Sequence, residues 1–189
     1  RFSGYLDFNT LHVTHGRPLT FATGMKMAAP DAKIIVVSGD GDTYAIGGNH
    51  FLHACRRNID LTLVVINNYT YGLTGGQVSP ETPLGSSTPT SPYGSIEPNF
   101  DACEMAIAAG ASFVARTVVA SPLHMDKMIK AGIEHKGFSL VEVLSNCHIN
   151  WGRKNEYAAA ADLIKHLKDS STMSKEDAKA NGKHLLLIK

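Results

Sequence analysis

Asp40 and Asn68 are a carboxylate and an amide carbonyl, each placed where an apolar run stops. The run from Ala32 to Val37 leads into Ser38-Gly39-Asp40-Gly41-Asp42, and the run from Leu61 to Ile66 leads into Asn67-Asn68. Both side chains are hard oxygen donors, and Mg²⁺ is held by a few such donors together with substrate phosphates and water. The glycines flanking Asp40 let backbone N–H groups approach a phosphate closely. These types in this order suit a magnesium–diphosphate site. The plainer alternative is a pair of turns at strand ends, since Gly, Asp and Asn are ordinary turn residues. An EF-hand loop is excluded, because Tyr44 stands where that loop needs an oxygen ligand.

Both apolar runs read as strands buried on two faces, as in the parallel sheet of an α/β domain. Such sheets bind ligands at the carboxyl ends of their strands. Ahead of the first run, Pro18 opens a helix over Leu19 to Ala29, and His15 and Arg17 sit at its N-terminus. They either attract an anion there or are solvated surface residues. The segment Thr43 to Arg57 reads as a second helix, with Asp42 as its N-cap first and a cofactor contact second. His50 and His53 share a face of it, and with no third ligand at metal spacing they are expected to be packed or hydrogen-bonded. Tyr69 to Pro92 breaks all periodicity and is too long for a bland connector; it begins at Asn67-Asn68, so a functional loop is expected.

The later chain continues the alternation. Phe100 to Ala109 reads as a helix and Phe113 to Val119 as a strand. Ser121-Pro122 caps a helix running to about Lys136, and Phe138 to Leu144 is a strand delivering Ser145-Asn146-Cys147-His148. Ala160, Leu163, Ile164 and Leu167 recur at helical spacing within Tyr157 to Lys168, and Leu185 to Ile188 reads as a short strand. The expected fold is α/β, a mostly parallel sheet with helices on both faces. On this reading residues 1–155 make up the α/β domain and 156–189 a helical tail.

A chain of 189 residues with a net charge of +1 fits one domain and implies no nucleic-acid or strongly charged partner. No apolar run approaches the ~20 residues of a membrane span. Three cysteines argue against a disulfide scaffold and for a reducing, cytoplasmic setting. The chain starts at Arg1 with no signal-peptide pattern, and the expectation is an N-terminally truncated polypeptide.

With these residues laid out, the chain resembles the thiamine-diphosphate-binding β subunit of 2-oxoacid:ferredoxin oxidoreductases. The likeness is carried by His15-Gly16-Arg17, Gly39-Asp40-Gly41-Asp42, Ile46-Gly47-Gly48-Asn49-His50, Arg56-Arg57-Asn58-Ile59 and Asn67-Asn68-Tyr69-Thr70-Tyr71-Gly72-Leu73-Thr74-Gly75-Gly76-Gln77-Val78-Ser79-Pro80. Thr90-Ser91-Pro92-Tyr93-Gly94 and the Cys147 segment continue it. Asp40…Asn68 alone is the thiamine-enzyme pattern; the Tyr71–Gln77 segment makes the likeness more specific.

The resemblance implies Asp40 and Asn68 as Mg²⁺ ligands by side chain, with the Thr70 backbone carbonyl a third. It implies Gly41, Asp42, Gly72 and Leu73 at the diphosphate end of the cofactor, and His15 reaching the cofactor as well. Cys147 matches a ligand of a [4Fe–4S] cluster; Cys55 and Cys103 match none and read as core. The family's Cys-x-x-Cys pair and a further upstream cysteine are missing, which implies truncation or a clusterless form. The activity implied is oxidative decarboxylation of a 2-oxoacid, 2-oxoglutarate favoured, with coenzyme A taking the acyl group and ferredoxin the electrons. The partner is an α subunit that supplies the activating glutamate, in an obligate hetero-oligomer. Two other readings stand beside it: a non-redox thiamine-diphosphate 2-oxoacid decarboxylase, and a cofactor-free assembly fragment.

Overall fold

The computed structural model of the chain describes residues 2–157 and 159–186. In chain order its regular elements are α1 (Pro18–Ala28), β1 (Ile35–Gly39), α2 (Gly48–Arg57), β2 (Thr62–Asn67), β3 (Thr70–Tyr71), β4 (Gln77–Val78), α3 (Ala102–Ala108), β5 (Phe113–Val118), α4 (Pro122–Glu134), β6 (Ser139–Leu144), α5 (Ala160–Asp169), β7 (Ser171–Thr172), α6 (Lys175–Asn181) and β8 (His184–Leu185). The main sheet runs β1-β2-β6-β5, with every neighbouring pair parallel. That is the expected α/β architecture.

Alternation along the strands divides the core. Leu63, Val65, Val114 and Leu140 join Leu19, Ala22, Phe51, Ala54, Cys55, Ala102 and Cys103 under α1, α2 and α3. Val64, Ala115, Val141 and Val143 face the other way, onto Met128 of α4. A third cluster lies beyond the carboxyl ends of β5 and β6, where Val118 and Leu144 meet Tyr69, Trp151, Leu163 and Leu167. Each fully buried leucine there contributes about 2 kcal/mol by its removal from water. α5 thus packs beyond the carboxyl ends of β5 and β6, against Tyr69, the neighbour of Asn68.

Several expectations need correction. β1 is not buried on both faces: it ends the sheet, α4 covers β2, β5 and β6 instead, and Ile35 and Val37 are 47% and 38% exposed. The second helix is two pieces, a π-helical turn over Gly41–Ile46 and then α2, broken at Gly47. A Cβ on Gly47 would collide with the Asp42 carbonyl oxygen, so only glycine fits the break. Asp42 lies inside the π turn and does not cap it; residue 40 holds the cap position, with no side-chain cap hydrogen bond. The helix expected from Phe100 begins at Ala102, because Asp101 takes the cap and accepts from the Glu104 N–H. Ser121 makes no side-chain cap bond, and α4 stops at Glu134, short of Lys136. The short strand expected over Leu185 to Ile188 is instead His184–Leu185; residues 187 and 188 lie outside the described residues. The loop after Asn68 carries a hairpin, β3 paired antiparallel with β4.

Candidate functional site

β1 and β2 are adjacent and parallel, so their carboxyl ends bring Asp40 and Asn68 together. Asp40 is 2% exposed. Ser79 Oγ donates to its Oδ2, and the backbone N–H groups of residues 40, 41 and 68 face its carboxylate. Burial nevertheless pushes the Asp40 carboxyl up from 3.8 to about 6. A carboxylate desolvated to this degree gains most from a cation.

Three oxygens converge here. Asn68 Oδ1 lies 2.6 Å from the Thr70 carbonyl oxygen and 3.2 Å from Asp40 Oδ1. Oxygens on neighbouring vertices of a magnesium octahedron stand about 3.0 Å apart, given Mg–O bonds of about 2.1 Å. Reversing the Asn68 amide would let its nitrogen donate to both oxygens. Reversed, the amide satisfies both oxygens with no metal; with Oδ1 inward, accepting from the Thr70 N–H at 3.3 Å, the three oxygens form a set that suits a cation between them. The donors suit Mg²⁺: one carboxylate, one amide carbonyl and one main-chain carbonyl. Among the described residues, no group of three or more His, Cys, Asp or Glu side chains could hold a metal, and this triad uses only one such side chain.

The Thr70 carbonyl reaches that place through an unusual backbone turn. Tyr69 has φ +65°, left-handed for a bulky residue, a conformation that costs about 1–3 kcal/mol unless its surroundings hold it. Its N–H donates to Asn67 Oδ1 at 3.1 Å. Its carbonyl accepts from Thr82 Oγ1 at 2.6 Å, and its ring packs on Trp151 with centroids 5.4 Å apart.

His15 and Asp42 form a second group. Asp42 Oδ1 lies 2.5 Å from His15 Nδ1 and accepts from the Gly16 N–H at 2.5 Å; its Oδ2 accepts from Ser38 Oγ. Asp42 therefore anchors the turn that carries His15. Tyr71 joins the two groups. Its hydroxyl donates to the Gly41 carbonyl at 3.1 Å and its ring centroid lies 6.0 Å from that of His15. A Cβ on Gly41 would stand 2.5 Å from that ring, so Gly41 makes room for it.

Gly72 lies between Asn68 and Cys147: a Cβ there would be 3.2 Å from Asn68 Nδ2 and 3.8 Å from Cys147 Sγ. Asn150 Nδ2 donates to the Gly72 carbonyl at 2.7 Å, so the turn after β6 covers the β3–β4 loop. The Leu73 side chain is fully exposed, and what that residue offers a ligand is backbone. Asp40, Gly41, Asp42, Asn68, Thr70, Gly72 and His15 are thus collected at one end of the sheet, with half-exposed Cys147 beside them. Cys55 and Cys103 are buried under α2 and α3, as expected, so among the described residues one thiol alone reaches the site. That does not by itself fit an iron–sulfur cluster. His53 Nδ1 accepts from Arg56 Nε at 3.3 Å.

Beneath the triad lies a polar network that motif reading missed. Asn67 Nδ2 donates to Glu142 Oε1 at 3.0 Å and to Glu81 Oε2 at 3.2 Å. Arg116 Nε donates to Glu142 Oε2 at 2.5 Å, and its NH2 donates to Asp101 Oδ1 at 2.8 Å. Burial first, and then the charge on Glu142, push the Glu81 carboxyl well above its ordinary value. One hint lay in the sequence: Arg116 and Glu142 each interrupt an apolar strand.

A family model described as the thiamine pyrophosphate enzyme C-terminal TPP-binding domain matches residues 1–143. The chain is 57% identical over 171 residues to the 2-oxoglutarate synthase subunit KorB of Methanocaldococcus jannaschii, covering 90% of this chain and 63% of that relative. Against the subunit of the same name from Archaeoglobus fulgidus the identity is 55% over 170 residues, with 90% and 62% covered. Among solved structures, the 2-oxoglutarate:ferredoxin oxidoreductase of Magnetococcus marinus, with 2-oxoglutarate, coenzyme A and succinyl-CoA bound, superposes with a TM-score of 0.83. That match has 31% identity and covers 96% of this chain and 64% of that one. A thiamine diphosphate-dependent 4-hydroxybenzoylformate decarboxylase from Rhodococcus jostii RHA1 matches with a TM-score of 0.50 at 26% identity, over 69% of this chain and 23% of that one. The chain thus spans about three fifths of the length of the curated relatives it matches. An aspartate and an asparagine at adjacent strand ends, a main-chain carbonyl turned to meet them and the family match agree: the chain belongs to the thiamine pyrophosphate enzymes, as their C-terminal cofactor-binding domain.

Proposed function

We propose that the chain is the thiamine-diphosphate-binding part of a 2-oxoacid:ferredoxin oxidoreductase β subunit, with 2-oxoglutarate as the favoured substrate. The observation that carries this reading is the 57% identity to a 2-oxoglutarate synthase subunit over the residues that build the oxygen triad. Asp40, Asn68 and the Thr70 carbonyl hold Mg²⁺. Gly41, Asp42, Gly72 and Leu73 lie along the diphosphate, with His15, oriented by Asp42, at its edge. When bound, thiamine diphosphate supplies the carbanion chemistry and electron sink that decarboxylation of a 2-oxoacid needs. This chain's residues bind and orient that group; no acid–base side chain is assigned to them.

In a complete enzyme Cys147 would serve as a ligand of an iron–sulfur cluster, a role that buried Cys55 and Cys103 would not share. An α subunit completes the active site, coenzyme A and ferredoxin are the other reactants, and the setting is the cytoplasm. No helix among the described residues is long and apolar enough to cross a membrane. Residues 1–155 are the cofactor-binding unit and 156–189 its tail, of which Leu163, Leu167 and Leu186 pack with Val118 and Leu144.

The test is a thermal melt with thiamine diphosphate and Mg²⁺ against a chelator control, repeated with the partner subunit. A ligand that binds only the folded state raises the melting temperature by mass action. A Mg²⁺-dependent rise supports the reading, and no rise in either preparation removes it. Iron bound by the complete enzyme separates the oxidoreductase from a non-redox decarboxylase.

A further inference from the structure

Glu81 lies outside the oxygen triad and is tied to it by two routes. The first runs through its side chain. Asn67 gives one amide hydrogen to Glu142 and the other to Glu81, which uses both donors and fixes which way the amide points. The Asn67 oxygen is thereby left to accept from the Tyr69 N–H. That bond holds the left-handed turn at Tyr69, and the turn presents the next carbonyl, that of Thr70, to Asn68 and Asp40. The second route runs through the backbone. The Glu81 N–H donates to Ser79 Oγ at 3.3 Å, and Ser79 Oγ donates to Asp40 Oδ2.

Glu81 is an expensive residue to place here. It is 4% exposed, and its Oε1 has no hydrogen-bond partner among the described residues. Its neighbour Glu142 is answered by Arg116, and Arg116 is shared with Asp101. Among the described residues Glu81 has no cation of its own, and a proton on Oε1 leaves Oε2 free to accept from Asn67.

We propose that Glu81 is a positioning residue for the metal end of the site: together with Glu142 it grips the Asn67 amide, so that Asn67 holds Tyr69 and sets the Thr70 carbonyl at its place in the triad. The inference rests on the reading of that triad as a cation site.

Two variants of the full chain test it. Glu81→Gln keeps a neutral oxygen facing Asn67, whereas Glu81→Leu keeps the bulk and removes the acceptor. The readouts are the Kd for Mg²⁺ at saturating thiamine diphosphate, the melting temperature, and hydrogen exchange at the Tyr69 amide without metal or cofactor. Loss of an outer partner of a metal ligand weakens metal binding by about 10-fold or more, so Glu81→Leu should raise the Mg²⁺ Kd by about that factor, with Glu81→Gln within about threefold of the parent. Tyr69 exchange should quicken in the leucine variant and not in the glutamine variant. Equal Mg²⁺ affinity in all three proteins, equal loss in both variants, or a change confined to the melting temperature would each overturn the role. If the parent binds no Mg²⁺ with thiamine diphosphate, either alone or with the partner subunit, the cation reading fails, and the Tyr69 exchange still decides whether Glu81 holds the turn.

Discussion

The inward atom of the Asn68 side-chain amide lies 2.6 Å from the Thr70 carbonyl oxygen. As nitrogen it donates to that carbonyl; as oxygen it faces a second acceptor and calls for a cation between them. Asp40 is the triad's only charged member, so Asp40→Ala should abolish the Mg²⁺-dependent rise in melting temperature with thiamine diphosphate. An unchanged rise would move the metal elsewhere.

The buried Asp40 carboxyl also fixes a pH dependence. Its pKa in the folded protein, about 6, lies above the ordinary 3.8. Between those values the folded state keeps a proton that the unfolded state has lost, so without metal this group's contribution to stability falls as pH rises from about 4 to 6 and stays low above. The difference amounts to something on the order of 3 kcal/mol. Asp40→Asn should therefore melt higher than the parent at pH 7 without metal, with the gap closing toward pH 4. Mg²⁺ competes with the same proton, so parallel titrations should show its affinity falling below about pH 6. A gap between the two proteins that does not vary with pH would contradict this.

Gly41 makes room for the Tyr71 ring, and Gly41→Ala should cost about 1–3 kcal/mol through overpacking. Urea denaturation would measure the cost. Trimming the ring with Tyr71→Ala in the same chain should recover part of it, and strictly additive losses would mean that the two residues do not meet.

Arg116 answers Glu142 and Asp101 from a nearly dry position. Removing one partner of a buried ion pair strands the other, so Arg116→Met should destabilise the chain by about 3–5 kcal/mol. Adding Glu142→Gln should restore part of this, and a double-mutant cycle with no coupling would refute the pairing.

Cys147 borders Gly72. Cys147→Ser should leave the affinity for thiamine diphosphate unchanged while lowering the iron content and ferredoxin reduction of the complete enzyme. Normal iron in that variant would take Cys147 off the ligand set.

The site was legible where chemistry is local in the chain. Asp40 and Asn68 each follow an apolar run, and parallel pairing of the two runs is enough to bring them together. Helix ends were less legible, because long-range bonds set them: Asp42 looked like a cap, yet it turns to His15 and Gly16 across 26 residues of sequence. β1 looked doubly buried because its composition is that of a central strand, and only the strand order reveals an edge. Glu81 was unreadable as a site residue, since its link to the triad passes through the rotamer of Asn67 and the φ of Tyr69, neither of which a residue type encodes.

That edge has a practical consequence. Along the outer side of β1 the backbone donors and acceptors meet no neighbouring strand among the described residues, and Ile35 and Val37 add exposed apolar surface on one face. Such a border is a template for any extended peptide, including one from another molecule. An isolated chain is therefore expected to associate through this edge, its net charge of +1 being too small to keep molecules apart. Dilution or a capping peptide should keep it dispersed better than added salt.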